Sequence, residues 1–232
     1  MFRYTILFFM IIYFIIFISS CNRYSDTSYV TEKDRLNVII DTDMGLDDIR
    51  ALFALLADST IDIQAILTIE GSAALGKGAD NLIGLLESNH IESIPVFKGT
   101  SNPGLLAPTW RQMASGVAGV PFPPPQHIAQ HPLTGEGFNQ ILHHGKDIEY
   151  LALGPLGNLA ILLDDYTDNI KKINKIWIPV VIENNHMKDW NLLYDVESAQ
   201  KVFSSDVKIV LVDIAAAGQL NTPMLLLPIM WD

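Results

Sequence analysis

From Leu36 onward the chain alternates short apolar runs with segments whose apolar residues recur at helical spacing, and this restricts it to a strand-helix-strand architecture. Leu36-Asn37-Val38-Ile39-Ile40 suits a buried strand, and Ile49 to Leu56 an amphipathic helix. Ile63 to Ile69 predicts a second strand, Asp80 to Leu86 a helix, and Ile94 to Phe97 a short third strand. Gly99 to Pro132, with Pro123-Pro124-Pro125 at its centre, is a connection of the length usual for a lid or a disordered excursion. Ile148 to Leu153 predicts the next strand, broken by Gly154-Pro155 and followed by a helix from about Asn158 to Leu163. Lys175 to Ile182, Val196 to Phe203 and Val207 to Val212 add a strand, a helix and a strand. The order predicts a three-layer α/β fold around a mostly parallel, doubly wound (Rossmann-like) sheet. Such sheets bind ligands beyond the carboxyl ends of their strands. Asp41 to Asp48, Gly71-Ser72, Gly154 to Asn158 and Glu183 to Asn191 all fall there.

Nothing splits this pattern. With 232 residues, 49% of them hydrophobic, and no repeat or charge run, residues 35–232 are expected to form one domain. Lys and Arg number 15 against 26 Asp and Glu, a net charge of -11 that would repel a phosphate backbone, so nucleic acid is excluded as a partner. Cys21 is the sole cysteine, which rules out an intrachain disulfide or a thiolate zinc site.

The N-terminus has its own layout. Arg3 precedes an apolar run from Tyr4 to Ile18, then Ser19-Ser20-Cys21, in the manner of a signal peptide. The run is short for a bilayer span, which needs about 20 apolar residues. Ile18-Ser19-Ser20-Cys21 resembles the bacterial lipobox, which implies a lipoprotein signal peptide over 1–21 with Cys21 lipidated. The alternative is an uncleaved N-terminal anchor. Either way the globular part is expected outside the cytoplasm, attached to a bacterial membrane, with polar residues 22–34 as a tether.

Asp41, Asp43, Asp47 and Asp48 place four acids within eight residues, with no cation before Arg50. Gathered at a strand end they would repel one another or take up protons. A hard cation resolves the conflict, and Ca2+ accepts six to eight carboxylate and carbonyl oxygens at flexible geometry. Helix capping explains Asp47 and Asp48 equally well, but not all four. An EF-hand is a poor match, since Gly45 stands where its loop needs an oxygen ligand. The Asp-x-Asp signature of haloacid-dehalogenase-like phosphatases is the rival, with Asp164-Asp165 as its later acid pair. That motif leaves Asp47-Asp48 unexplained and wants a strand end where a helix end is predicted.

Asp41-Thr42-Asp43-Met44-Gly45-Leu46-Asp47-Asp48 resembles the Asp-x-Asp-Pro-Gly-x-Asp-Asp fingerprint of the inosine-uridine-preferring nucleoside hydrolases, with Met44 in place of the usual proline. The likeness continues through Leu67 to Ser72, Leu153-Gly154-Pro155-Leu156-Gly157-Asn158, and Asp189-Trp190-Asn191-Leu192-Leu193-Tyr194-Asp195. It implies the nucleoside hydrolase fold and calcium-dependent hydrolysis of the N-glycosidic bond of ribonucleosides, a purine and pyrimidine salvage activity. It further implies that Asp43, Asp48 and the backbone carbonyl of Leu153 hold Ca2+, with Asp43 also the general base. By the same resemblance Asp47, Ser72, Asp189 and Asn191 contact the sugar, and Asp41 supports the site from behind. Family members run on to a further aspartate ligand, often preceded by a histidine. This chain is therefore expected to be a C-terminally short member, either active or a non-catalytic surface lipoprotein that binds nucleosides or calcium. A homo-oligomer is left open.

Some residues keep two readings. Gly154 to Asn158 also suits an ordinary turn with Asn158 as a cap. Asn191 and Asp189 also suit a solvated loop, Ser72 a helix cap, and Glu183, Asn184 and Asn185 fall near a further ribose contact in an ambiguous register. His127, His131, His143 and His144 have no partner at metal spacing and read as surface residues. Trp110 and Phe122 suit base stacking or pinning of the long loop.

Overall fold

The computed structural model describes residues 35–101, 122–128, 130–133, 138–139, 141–142, 147–165, 170–183, 186–187 and 189–214. The expectations for residues 1–34, including Cys21, and for Trp110, His143, His144, Asn184 and Asn185 lie outside the described residues. The described residues from Leu36 onward form one compact unit.

Strand β1 (Leu36–Thr42) is buried from Val38 to Thr42, with three apolar side chains leading into Asp41 and Thr42, as suits a central parallel strand covered on both faces. Helix α1 (Leu46–Ala57) returns to β2 (Ile61–Thr68), and α2 (Leu75–Ser88) to β3 (Val96–Lys98). Then come β4 (Gln130–Pro132), β5 (Ile148–Ala152), α3 (Gly157–Asp165) and β6 (Ile173–Val180). A small antiparallel pair, β7 (Ile182–Glu183) and β8 (His186–Met187), precedes α4 (Trp190–Tyr194), α5 (Val196–Phe203) and β9 (Ile209–Asp213).

The main sheet has seven strands in the order β4-β3-β2-β1-β5-β6-β9, and every pairing is parallel. The chain winds outward from β1 to β4, then crosses back and winds the other way from β5. The switch point therefore opens between the carboxyl ends of β1 and β5, where a crevice is a necessity of the topology. Asp41 stands there, level with Leu67 of β2 on one side and Ala152 of β5 on the other.

Successive residues of β1 serve opposite layers. Ile39 packs with Leu67, Tyr150 and Ile176 against Leu159 and Leu162 of α3 and Val202 of α5. Val38 and Ile40 pack with Ile66 and Val96 against Ile49 and Leu52 of α1 and Leu82, Ile83 and Leu86 of α2. Each fully buried Leu or Ile contributes about 1.5–3 kcal/mol, so two such clusters hold the strand ends rigidly beneath the crevice.

The structure departs from expectation in four places. Gln130–Pro132, inside the predicted loop, pairs with β3 as the sheet's edge. Helix α2 begins at Leu75 rather than Asp80. The β7-β8 pair and the five-residue α4 occupy what reads as loop.

Candidate active site

The loop from Thr42 to Leu46 folds the acids back on themselves. Thr42 Oγ1 donates to Asp48 Oδ2 at 2.6 Å, and the Asp43 N–H donates to the same oxygen at 3.1 Å. Asp43 in turn accepts from the N–H groups of Gly45 (3.1 Å, Oδ1) and Ser72 (2.8 Å, Oδ2). Met44 turns the chain with φ 58, and its N–H donates to Thr42 Oγ1 at 3.0 Å. Asp43 and Asp48 are thereby brought together, both buried.

Backbone closes in on Asp43 from two sides. A Cβ on Gly71 would stand 2.1 Å from Asp43 Oδ2, and one on Gly154 would stand 3.2 Å from Asp43 Cβ. Asp47 remains exposed. Its Oδ1, Ser72 Oγ and Asp43 Oδ1 lie 2.7, 3.2 and 3.4 Å from where a Gly45 Cβ would be, so three oxygens gather at one rim.

Asp41 turns the other way. Its Oδ2 accepts from Tyr150 Oη at 2.7 Å and its Oδ1 from Asn158 Nδ2 at 2.9 Å. Burial pushes its carboxyl up to about 7 against those two donors. Burial likewise raises Tyr150 well above its ordinary value, and the neighbouring Asp41 adds to this, so the phenol stays a donor.

Leu153 N donates to the Asp41 carbonyl at 2.8 Å, and the Leu153 carbonyl accepts from Asn191 Nδ2 at 2.6 Å. Asp189, buried, caps α4 by accepting from Leu192 N at 3.2 Å. Its carboxyl is raised by burial, opposed by the N–H groups of Leu192, Asn191 and Val181. Behind them Tyr194 Oη donates to Glu70 Oε1 at 3.5 Å.

Burial raises the carboxyls of both Asp43 and Asp48; for Asp48 the charge of Asp43 is the next cause. None of the ion pairs among the described residues involves Asp41, Asp43, Asp47 or Asp48. A buried pair of acids lacking a counter-charge is a donor set that a hard divalent cation fits. Among the described residues no three His, Cys, Asp or Glu side chains form a ready metal cluster. An ion at Asp43 and Asp48 therefore needs uncharged oxygens as well, and the Leu153 carbonyl, with its second lone pair, is the nearest in kind.

Asn158 is not a cap, because its amide reaches across to β1. Sequence reasoning missed Tyr150 altogether, and missed the bonds that Thr42 makes to Asp48 and Asn158 to Asp41. Tyr150 alone gave a signal, as a hydroxyl inside an apolar run that must find a partner when buried. Asp164 lies at the end of α3, ion-paired with Lys201, and not at the strand end the phosphatase signature requires. His127 is exposed, 3.9 Å from Glu87, while the His131 ring lies 5.6 Å from that of Phe97. Phe122 packs against the α2 layer.

Comparison with known proteins places this geometry in context. The family model described as inosine-uridine preferring nucleoside hydrolase matches residues 38–226. The non-specific ribonucleoside hydrolase RihC of Klebsiella pneumoniae is 32% identical over 193 residues, 76% of this chain and 60% of the relative. A probable uridine nucleosidase 2 of Arabidopsis thaliana is 29% identical over 201 residues, 80% of this chain and 61% of that one. Among solved structures, the plant nucleoside hydrolase PpNRh1 superimposes with a TM-score of 0.63 at 28% identity, covering 78% of this chain and 60% of that chain. The chain thus spans about 60% of the length of the relatives it matches.

Proposed function

Because the chain belongs to the inosine-uridine preferring nucleoside hydrolase family, we propose that it hydrolyses the N-glycosidic bond of ribonucleosides, using a calcium ion held by Asp43, Asp48 and the Leu153 carbonyl. The observation that carries the reading is the burial of Asp43 and Asp48 together at the switch point, with no cation among the described residues to balance them.

When bound, calcium supplies counter-charge to the two acids and makes water easier to deprotonate. Asp43 accepts the proton of the attacking water, a role its position among fixed N–H donors suits because the carboxylate cannot swing away. Asp47 and Ser72 at the rim, together with Asn191, hydrogen-bond the ribose hydroxyls, and Asp189 adds a sugar contact from the start of α4. Their oxygens also face the positive charge that develops on the sugar as the base departs. Asp41 makes no substrate contact and holds the loop from behind.

Reducing-sugar release from inosine and uridine, with and without a chelator, tests this. Release that stops on chelation supports it; calcium binding with no sugar released would make the chain a non-catalytic nucleoside- or calcium-binding member. We also propose that the globular part is held outside the cytoplasm through lipidated Cys21, which the run from Arg3 to Cys21 supports. Labelling with a radioactive fatty acid that persists in Cys21→Ala would refute that.

A further inference from the structure

Asn158 is fully buried, and all four of its amide's hydrogen-bonding positions are in use. Nδ2 donates to Asp41 Oδ1 (2.9 Å) and to the Thr68 carbonyl (3.2 Å); Oδ1 accepts from Thr100 N (2.9 Å) and Thr100 Oγ1 (3.2 Å). One side chain on α3 thus joins the ends of β1 and β2 and the turn after β3. The backbone is drawn tight around it, since a Cβ on Gly99 would stand 2.0 Å from Asn158 Oδ1. From the far side Tyr150 Oη takes the other oxygen of Asp41.

We propose that Tyr150 and Asn158 are positioning residues: a two-point clamp on Asp41 that sets the geometry of the ion site without touching ion or substrate. This rests on the calcium reading above. A carboxylate gripped on both oxygens cannot rotate, so the backbone of Asp41 is fixed as well. Its carbonyl accepts from Leu153 N, which fixes the residue whose own carbonyl is assigned to the ion in that reading. Two residues along the chain lies Asp43, and its orientation follows from the same anchored strand end. Groups that hold ligands in place from outside commonly set metal affinity as strongly as a weak ligand does.

The test is calorimetric titration of the full chain, purified in detergent, with calcium chloride. Three variants separate the roles. Tyr150→Phe keeps the ring in the core and removes one grip. Asn158→Asp keeps both bonds from Thr100 and puts a second carboxyl in place of the fixed amide donor to Asp41. Thr100→Val removes only a bond to the other end of the amide. Tyr150→Phe and Asn158→Asp are expected to raise the calcium dissociation constant by about 10- to 100-fold, with Thr100→Val near the parent value. If both clamp variants bind calcium like the parent while their metal-free melting temperatures fall, the network only stabilises the fold and the clamp is overturned. If the parent itself takes up no calcium, the ion-site reading fails first and the clamp fails with it.

Discussion

Gly71 lies so close to the Asp43 carboxyl group that a methyl on it would stand 2.1 Å from Oδ2 and 2.6 Å from Cγ. The loop after β2 is pressed against the one side chain proposed both to hold the ion and to accept a proton. Any side chain at Gly71 must therefore displace one or the other. Gly71→Ala is expected to fold, because the clash is confined to the crevice, and to lose about 100-fold or more in kcat, the loss that a misplacement near 1 Å produces. Steady-state sugar release with a parallel melting curve checks this; full activity in the variant would mean that the Asp43 position is not critical.

Met44 occupies the place of the proline usual in the fingerprint, yet its φ of 58 lies far from the value near −65° that a proline ring imposes. Its N–H also donates to Thr42 Oγ1, a bond that proline cannot make. Restoring the fingerprint with Met44→Pro is therefore expected to destabilise the protein by about 2 kcal/mol or more. Urea denaturation followed by circular dichroism reads this directly. A variant as stable as the parent would show that the turn has no need of the left-handed conformation.

Calcium removal should be felt as lost stability. Asp43 and Asp48, buried and without a counter-charge among the described residues, favour folding less when metal-free. Saturation at 100 times the dissociation constant adds about 2.7 kcal/mol, which in a chain of this size moves the melting temperature by about 5–10 °C. Scanning calorimetry with calcium against excess chelator measures the shift, and Asp48→Asn should abolish it. An equal melting temperature in both buffers would count against an ion at these residues.

How far the sequence reveals this structure depends on where each element gets its stability. Helix α5 lies where predicted because Ala199 and Val202 bury one face at helical spacing. The first strand and its acids were equally plain, since apolar residues run straight into charged ones. Helix α2 starts five residues ahead of the apolar pattern because Gly76 and Gly78 dilute its first turn. β4 carries a histidine and a proline and is placed by backbone pairing with β3, so no side-chain pattern announces it. α4 is too short for a period and depends on Asp189 capping it. At the site, resemblance singled out Asp43 and Asp48. The Asn158 bond to Asp41 spans 117 residues and leaves no local trace.

The segment from Phe122 to Ile128 packs on α2 and is hydrogen-bonded to it through the Glu87 carboxylate, and those bonds should respond to acid. Glu87 accepts from the N–H groups of Gln126 (2.9 Å), His127 (2.5 Å) and Ile128 (2.9 Å). The bonds from Ile128 and then His127 hold its carboxyl below the usual value of 4.5. A lowered value in the folded state means that the charged form is the one the fold favours. The resulting stability is complete above the unfolded value and is lost as pH falls through the folded one. Amide exchange at residues 126–128 is therefore expected to be slow at pH 6 and to lose protection progressively below pH 4.5, after correction for intrinsic rates. Glu87→Gln, which keeps the shape but not the charge, should weaken protection already at pH 6 and flatten its dependence on acid. Protection that falls with the same profile in both proteins would assign the acid response to some other group.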